Sequence, residues 1–139
     1  MGALNAISKK LVTVMNDSYI NSDSVKDLLY KLREAHPIGF PIHLILDNAK
    51  YQHCEFVENI AKQLNIHLEF LPTYSPNLNL IERLWKFMKK KVLYGKYYEL
   101  FPSFKAGITS CVDKINNSKE YDEELSSLLT LKFQFIKFT

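Results

Sequence analysis

Leu71-Pro72-Thr73-Tyr74-Ser75-Pro76-Asn77-Leu78-Asn79-Leu80-Ile81-Glu82-Arg83-Leu84-Trp85 sets a proline-bounded loop directly against the opening turn of a helix. Pro72 and Pro76 fix their own φ and push the residues before them towards extended backbone, so the chain from Leu71 to Asn77 is stiff. Asn79 reads as an N-cap with Glu82 three residues on, which holds the Glu82 carboxylate on the first helical turn. That placement serves chemistry, and it is equally what an ordinary capping box looks like.

A second acid upstream bears on the choice. Ile42-His43-Leu44-Ile45-Leu46 runs into Asp47 and reads as a strand buried on both faces, with the acid emerging at its C-terminal end. In open α/β sheets that end of the strands is where ligands bind. There are 34 residues between Asp47 and Glu82.

Around this pair the chain alternates between elements. Gly2–Ala6 and Leu11–Met15 read as a hairpin joined by Ile7–Lys10. Ser24 and Asp27 can open a helix that carries Val25, Leu28, Leu29 and Leu32 on one face and ends near Ala35, before Pro37. After Asp47, a helix from about Gln52 to Leu64 turns Phe56, Val57, Ile60, Ala61 and Leu64 inward, with Glu55 and Glu58 facing solvent. Ile66, Leu68 and Phe70 then alternate with polar residues as a half-exposed strand, parallel to the Asp47 strand through a right-handed crossover. Beyond the proline loop, Ile81, Leu84, Trp85, Met88 and Val92 keep helical spacing. Phe104, Ile108, Cys111, Val112 and Ile115 mark the next helix, and a last one covers roughly Asp122 to Leu129. The end, Leu131 to Phe138, alternates like a strand.

Composition bounds the rest. A chain of 139 residues, 47% hydrophobic and 24% charged, is expected to form one soluble domain with a real core. A net charge of +3 is too small to establish a nucleic-acid partner, but basic residues crowd just after Glu82. Cys54 and Cys111 lack metal spacing and read as reduced cytoplasmic thiols. No apolar run reaches the length of a membrane span.

Asp-Asn-Ala at 47–49 with His53 downstream, the Leu-Pro-x-Tyr-Ser-Pro-x-Leu-Asn-x-Ile-Glu-Arg-x-Trp run and the 34-residue separation together resemble the catalytic domain of DDE transposases. The similarity is greatest to the bacterial insertion-sequence branch related to mariner-type elements. It runs over nearly the whole chain and is most specific around Glu82. Thr73 and Leu80 depart from it, standing where the family often has proline.

The resemblance implies an α/β, ribonuclease H-like mixed sheet flanked by helices. It also implies Mg²⁺- or Mn²⁺-dependent cleavage at transposon ends, followed by transfer into target DNA. Asp47 and Glu82 would be the catalytic metal ligands, with Asn48, His53, Tyr74 and Asn79 in support. Arg83, Lys86, Lys89 and Lys90 would hold the DNA backbone, joined by Lys91, Lys96 and Tyr94, Tyr97 and Tyr98. The implied setting is the bacterial cytoplasm, in association with the nucleoid.

In the family's domain the central strand comes first and carries the first catalytic aspartate, whereas here Met1 stands immediately before what looks like the second strand. The expectation is therefore a single partial domain over residues 1–139 that lacks that strand and is inactive alone. Two divalent ions about 3.5–4 Å apart need several carboxylate oxygens. Asp17, Asp23, Asp27, Glu55 and Glu58 are poorly placed to add one. The open slot in the sheet would be closed by the hairpin pairing with the Asp47 strand, by the Phe133 tail, or by a strand of another polypeptide. Two functions follow: a transposase part completed by a separate segment or a homo-oligomer, or a catalytically dead remnant that binds DNA non-specifically or oligomerises.

Overall fold

Asn21 starts the first helix by a local exchange of hydrogen bonds. Its side-chain oxygen accepts from the backbone N–H groups of Asp23 and Ser24 at 3.0 and 3.2 Å, and the Ser24 hydroxyl accepts from Asn21 N–H at 3.3 Å. In this computed structural model, which describes residues 1–15, 19–37, 39–72, 78–93, 98 and 100–130, helix α1 spans Ser22–Ala35. Its cap lies three residues before the expected Ser24, because the asparagine is the cap and Ser24 is its buried third-position partner. Val25, Leu28, Leu29 and Leu32 are all buried, as their spacing required.

The remaining elements are β1 (Gly2–Leu4), β2 (Leu11–Thr13), β3 (Ile42–Leu46), α2 (Glu55–Gln63), β4 (Ile66–Phe70), α3 (Leu80–Val92), α4 (Phe101–Asn117) and α5 (Asp122–Leu128). No described helix is long and apolar enough to cross a membrane. Asp17, the Thr73–Asn77 part of the proline loop including Tyr74, Tyr94, Lys96, Tyr97 and the tail from Leu131 lie outside the described residues. The chain divides into two units, Met1–Ala3 with Val12–Asn79, and Leu4–Leu11 with Leu80–Thr139.

In the first unit β3 and β4 pair in parallel from Ile42↔Ile66 to Leu46↔Phe70, the βαβ arrangement that the alternation predicted. Ile42, Leu44, Ile66 and Leu68 pack on one side against Val25 and Leu29 of α1 and Val57, Ile60 and Ala61 of α2. The opposite side carries His43, Ile45, His67 and Glu69, and all four are exposed, Ile45 by 56%. The expectation that β3 is buried on both faces is therefore corrected: both helices of the unit lie on the same face of the strand pair. Phe56 is also corrected, being 45% exposed rather than inward, since the buried arc of α2 is centred on Val57, Ile60 and Ala61. Asn65 takes the left-handed conformation at φ 55°, a turn that asparagine tolerates, and its carbonyl accepts from Ile42 N–H.

The hairpin is shorter than its apolar alternation suggested. Asn5 takes over the turn, its side-chain oxygen accepting from the N–H groups of Ile7 and Ser8 at 2.9 Å each, while Lys9 adopts φ 62°. The described strands form two separate two-stranded sheets, β1–β2 and β3–β4, so pairing of the hairpin with β3, one of the three closures considered, does not form among them. Ala3 and Val14 instead bury their side chains with Leu28, Leu32 and Leu44.

In the second unit the core is Leu11 with Leu84, Phe87, Met88 and Val92 of α3, Cys111 and Ile115 of α4, and Leu125 and Leu129 at α5. Phe87 was not among the expected inward positions, whereas Trp85, which was, is half-buried. Asn116 closes on Leu11 like a strand partner: its Nδ2 donates to Leu11 O at 2.8 Å, and its Oδ1 accepts from Leu11 N–H at 2.7 Å.

Candidate functional site

Asp47 follows directly on β3, so the strand sets where its half-buried carboxylate begins. The side-chain amide of Asn79 donates to Asp47 Oδ1 at 3.2 Å, a long-range contact across 32 positions of sequence. This bond uses one acceptor site of a group that offers about four, and the others are hard oxygen donors of the kind divalent cations take.

The turn after Asp47 is built by its own side chains. Gln52 and His53 both donate their N–H groups to Ala49 O at 3.0 Å, and Ala49 N–H donates to Gln52 Oε1 at 3.4 Å. This turn uses the residues expected to begin the next helix, so α2 starts only at Glu55. His53 lies over the turn with three partners. Its Nδ1 is 2.8 Å from Asn48 Oδ1, its Nε2 is 3.3 Å from Glu58 Oε1, and its ring stacks on Phe70 at a centroid distance of 4.1 Å and an interplanar angle of 11°.

Four sequence-predicted residues, Asp47, Asn48, His53 and Asn79, thus belong to the first unit and are linked there in two hydrogen-bonded pairs. Glu58 was passed over as a solvent-facing acid. Its signal was positional: with Cys54 as the N-cap of α2, His53 and Glu58 hold the two places that a hydrophobic staple commonly joins across a helix start.

Glu82, in the second unit, stands at the third residue of α3 and is half-buried. Asn79 immediately precedes that helix, so both fall at the capping-box positions expected of them. Arg83 turns to its own unit, donating to Leu128 O at 3.4 Å and Thr130 O at 2.9 Å, the C-terminal end of α5. Lys86, Lys89 and Lys90 are exposed. Lys90 and Lys91 pair with Glu124 at 3.9 and 3.1 Å, and Lys91 also lies over the rings of Phe87 and Tyr121.

The family model described as DDE superfamily endonuclease matches residues 1–105. The chain belongs to the DDE superfamily endonucleases. The match takes in every element from β1 to the first turn of α4, and with them Asp47, Asn79 and Glu82. No curated protein matches the chain. A DDE superfamily endonuclease has DNA as its substrate, and enzymes of this superfamily generally use divalent metal ions. The carboxylates of Asp47 and Glu82 fit such ions by donor type. Among the described residues no group of three or more His, Cys, Asp or Glu side chains is arranged to hold one.

Proposed function

We propose that this DDE superfamily endonuclease is a transposase component of the mariner-related insertion-sequence type, with a ribonuclease H-like arrangement in which Asp47 and Glu82 are metal ligands. The observation that carries the reading is the family match over residues 1–105, which takes in both Asp47 and Glu82. Residues 1–139 act in this reading as one partial catalytic domain. Asp47 and Glu82 would be the residues that hold Mg²⁺ or Mn²⁺, which would supply Lewis acidity for phosphoryl transfer. The chain's own part is to present hard oxygen donors from two elements, to fix Asp47 through Asn79, and to hold the DNA backbone with Lys86 and Lys89.

Two acids are fewer than a two-ion centre requires, so in this reading the active centre takes at least one further carboxylate. The test is to mix the purified chain with a segment of the family's catalytic domain bearing the first aspartate, then measure Mn²⁺-dependent nicking of DNA. Nicking that appears on mixing and disappears with Asp47→Asn supports the proposal. Nicking that survives Asp47→Asn, or no nicking in any mixture, rejects it.

A second reading is a DNA-binding remnant without catalysis, associated with the nucleoid. The observation favouring it is that Lys86 and Lys89 are exposed and have no described partner, so they are available to phosphates whether or not the acids work. DNA binding without nicking in the same mixtures supports this second reading.

A further inference from the structure

We infer that the tip of the β1–β2 hairpin, Ile7 to Lys10, is a DNA-contacting finger: Ile7 enters between base steps of a duplex, and Lys9 and Lys10 take neighbouring phosphates. The inference needs only DNA as the substrate of the superfamily, and no part of it passes through Asp47, Glu82 or a metal. The tip lies far in sequence from the motif around Glu82 and from the basic run that follows it.

Ile7 is 91% exposed, more than any other large apolar side chain among the described residues. A single exposed isoleucine on a slack loop would need no explanation. This one is held out by a stiff turn. Asn5 N–H donates to Lys10 O and Lys9 N–H to Asn5 O, both at 2.9 Å, while the Asn5 side-chain oxygen accepts from Ile7 and Ser8 and the Ser8 hydroxyl accepts from Lys10 N–H at 3.3 Å. Below the turn, Leu4 and Leu11 pack in the core of the second unit, and Asn116 bonds both backbone groups of Leu11. The tip is thus organised before any contact is made, and little ordering entropy is left to lose on binding.

Charge and backbone strain name the ligand. Lys9 takes φ 62°, a left-handed conformation that glycine and asparagine adopt at less cost, and the other non-glycine residue of positive φ among those described is indeed Asn65. A lysine there serves the turn poorly but keeps a cation on it: its ammonium donates to Ala6 O, and two further N–H donors remain for a ligand. Lys10 stands exposed beside it. No acid precedes Asp17 in the sequence, so nothing on the hairpin offsets the two charges. An apolar side chain flanked by cations suits a polyanion with a stacked apolar interior. Minor-groove DNA-binding proteins insert such apolar wedges between base steps and unstack them, while phosphate contacts supply the electrostatic share of binding. A second copy of this chain fits the tip less well, since it brings the same two lysines and a net charge of +3.

The test uses the whole chain at saturating concentration, with a chelator present, on a duplex carrying a fluorescent adenine analogue that brightens on unstacking. The analogue is placed at a T-A step, which unstacks readily. Binding is measured at several salt concentrations, and urea unfolding reports stability. Ile7→Ser is expected to remove most of the fluorescence rise and to weaken binding on the order of tenfold with the salt slope unchanged. Lys9→Asn and Lys10→Ala should each reduce the slope of log K on log salt by about 0.9. Lys9→Asn should do so without lowering the urea midpoint, since asparagine relieves the turn. A fluorescence rise and an affinity that survive Ile7→Ser overturn the proposal, as does a slope that neither lysine substitution moves. If Ile7→Ser alters the sedimentation of the DNA-free chain and leaves DNA binding intact, the tip is a contact between copies and the proposal is likewise overturned. Failure of the metal-ligand reading shows only in the nicking mixtures and leaves these measurements standing.

Discussion

The side-chain amide of Asn79 donates to Asp47 Oδ1 at 3.2 Å, joining the residue just before α3 to the residue just after β3. A hydrogen bond to a carboxylate that is half-buried is worth more than one between neutral exposed groups, because less water competes for the oxygen. Asn79→Ala is expected to lower stability by about 1–2 kcal/mol, measured as a fall in the urea midpoint with unchanged slope. A midpoint equal to that of the unsubstituted chain would show that the contact contributes nothing.

The start of α1 gives a second, purely local expectation. Asn21 satisfies two N–H groups that have no partner inside the helix, and Ser24 returns one bond to it. Asn21→Ala should cost about 1 kcal/mol and Asn21→Asp much less, since aspartate offers the same acceptor at the positive end of the helix dipole. Thermal unfolding of both variants checks the order. Equal losses would mean that the cap is not what holds this end.

These two contacts mark what the sequence could and could not disclose. Val25, Leu28, Leu29 and Leu32 declare a helix face because burial repeats with the helical period, and Ile66, Leu68 and Phe70 declare a strand for the same reason with period two. The acids Asp47 and Glu82 stand out in the sequence only through a motif. Asn21 against Ser24 as the helix start was not, as both residue types cap helices and only the backbone chooses. Ile45 and Phe56 were misplaced because an apolar residue reports that it can be buried, not that a layer covers it. Pairs such as Asn116 with Leu11 leave no trace in local spacing, being set by how distant segments meet.

The Asn116–Leu11 pair makes its own prediction. Leu11 is 3% exposed, and its N–H and carbonyl are both bonded by the one amide. Asn116→Ala removes a donor and an acceptor together and leaves two backbone groups of a buried residue without these partners. The expected loss is about 2–4 kcal/mol, larger than for either bond alone at the surface. Hydrogen exchange should show the Leu11 amide losing protection in the variant. Retained protection would mean that another group holds that N–H.

The last prediction separates the lysines of α3 by what each already binds. A lysine that contacts a phosphate releases counterions, so removing it flattens the dependence of log K on log salt by about 0.9 per contact on duplex DNA. Lys86 and Lys89 are exposed without described partners, whereas Lys91 is held by Glu124 at 3.1 Å and lies over two aromatic rings. Lys86→Ala and Lys89→Ala should each weaken DNA binding and together reduce the salt slope by about 2, with little change in stability. Lys91→Ala should act the other way round, loosening the packing of Phe87 and Tyr121 while leaving the slope nearly unchanged. Binding isotherms at several salt concentrations, run beside urea unfolding, measure both effects on the same samples. If the slope is unchanged by Lys86→Ala and by Lys89→Ala, the exposed face of α3 is not where DNA lies, and those two lysines are only a solvated surface.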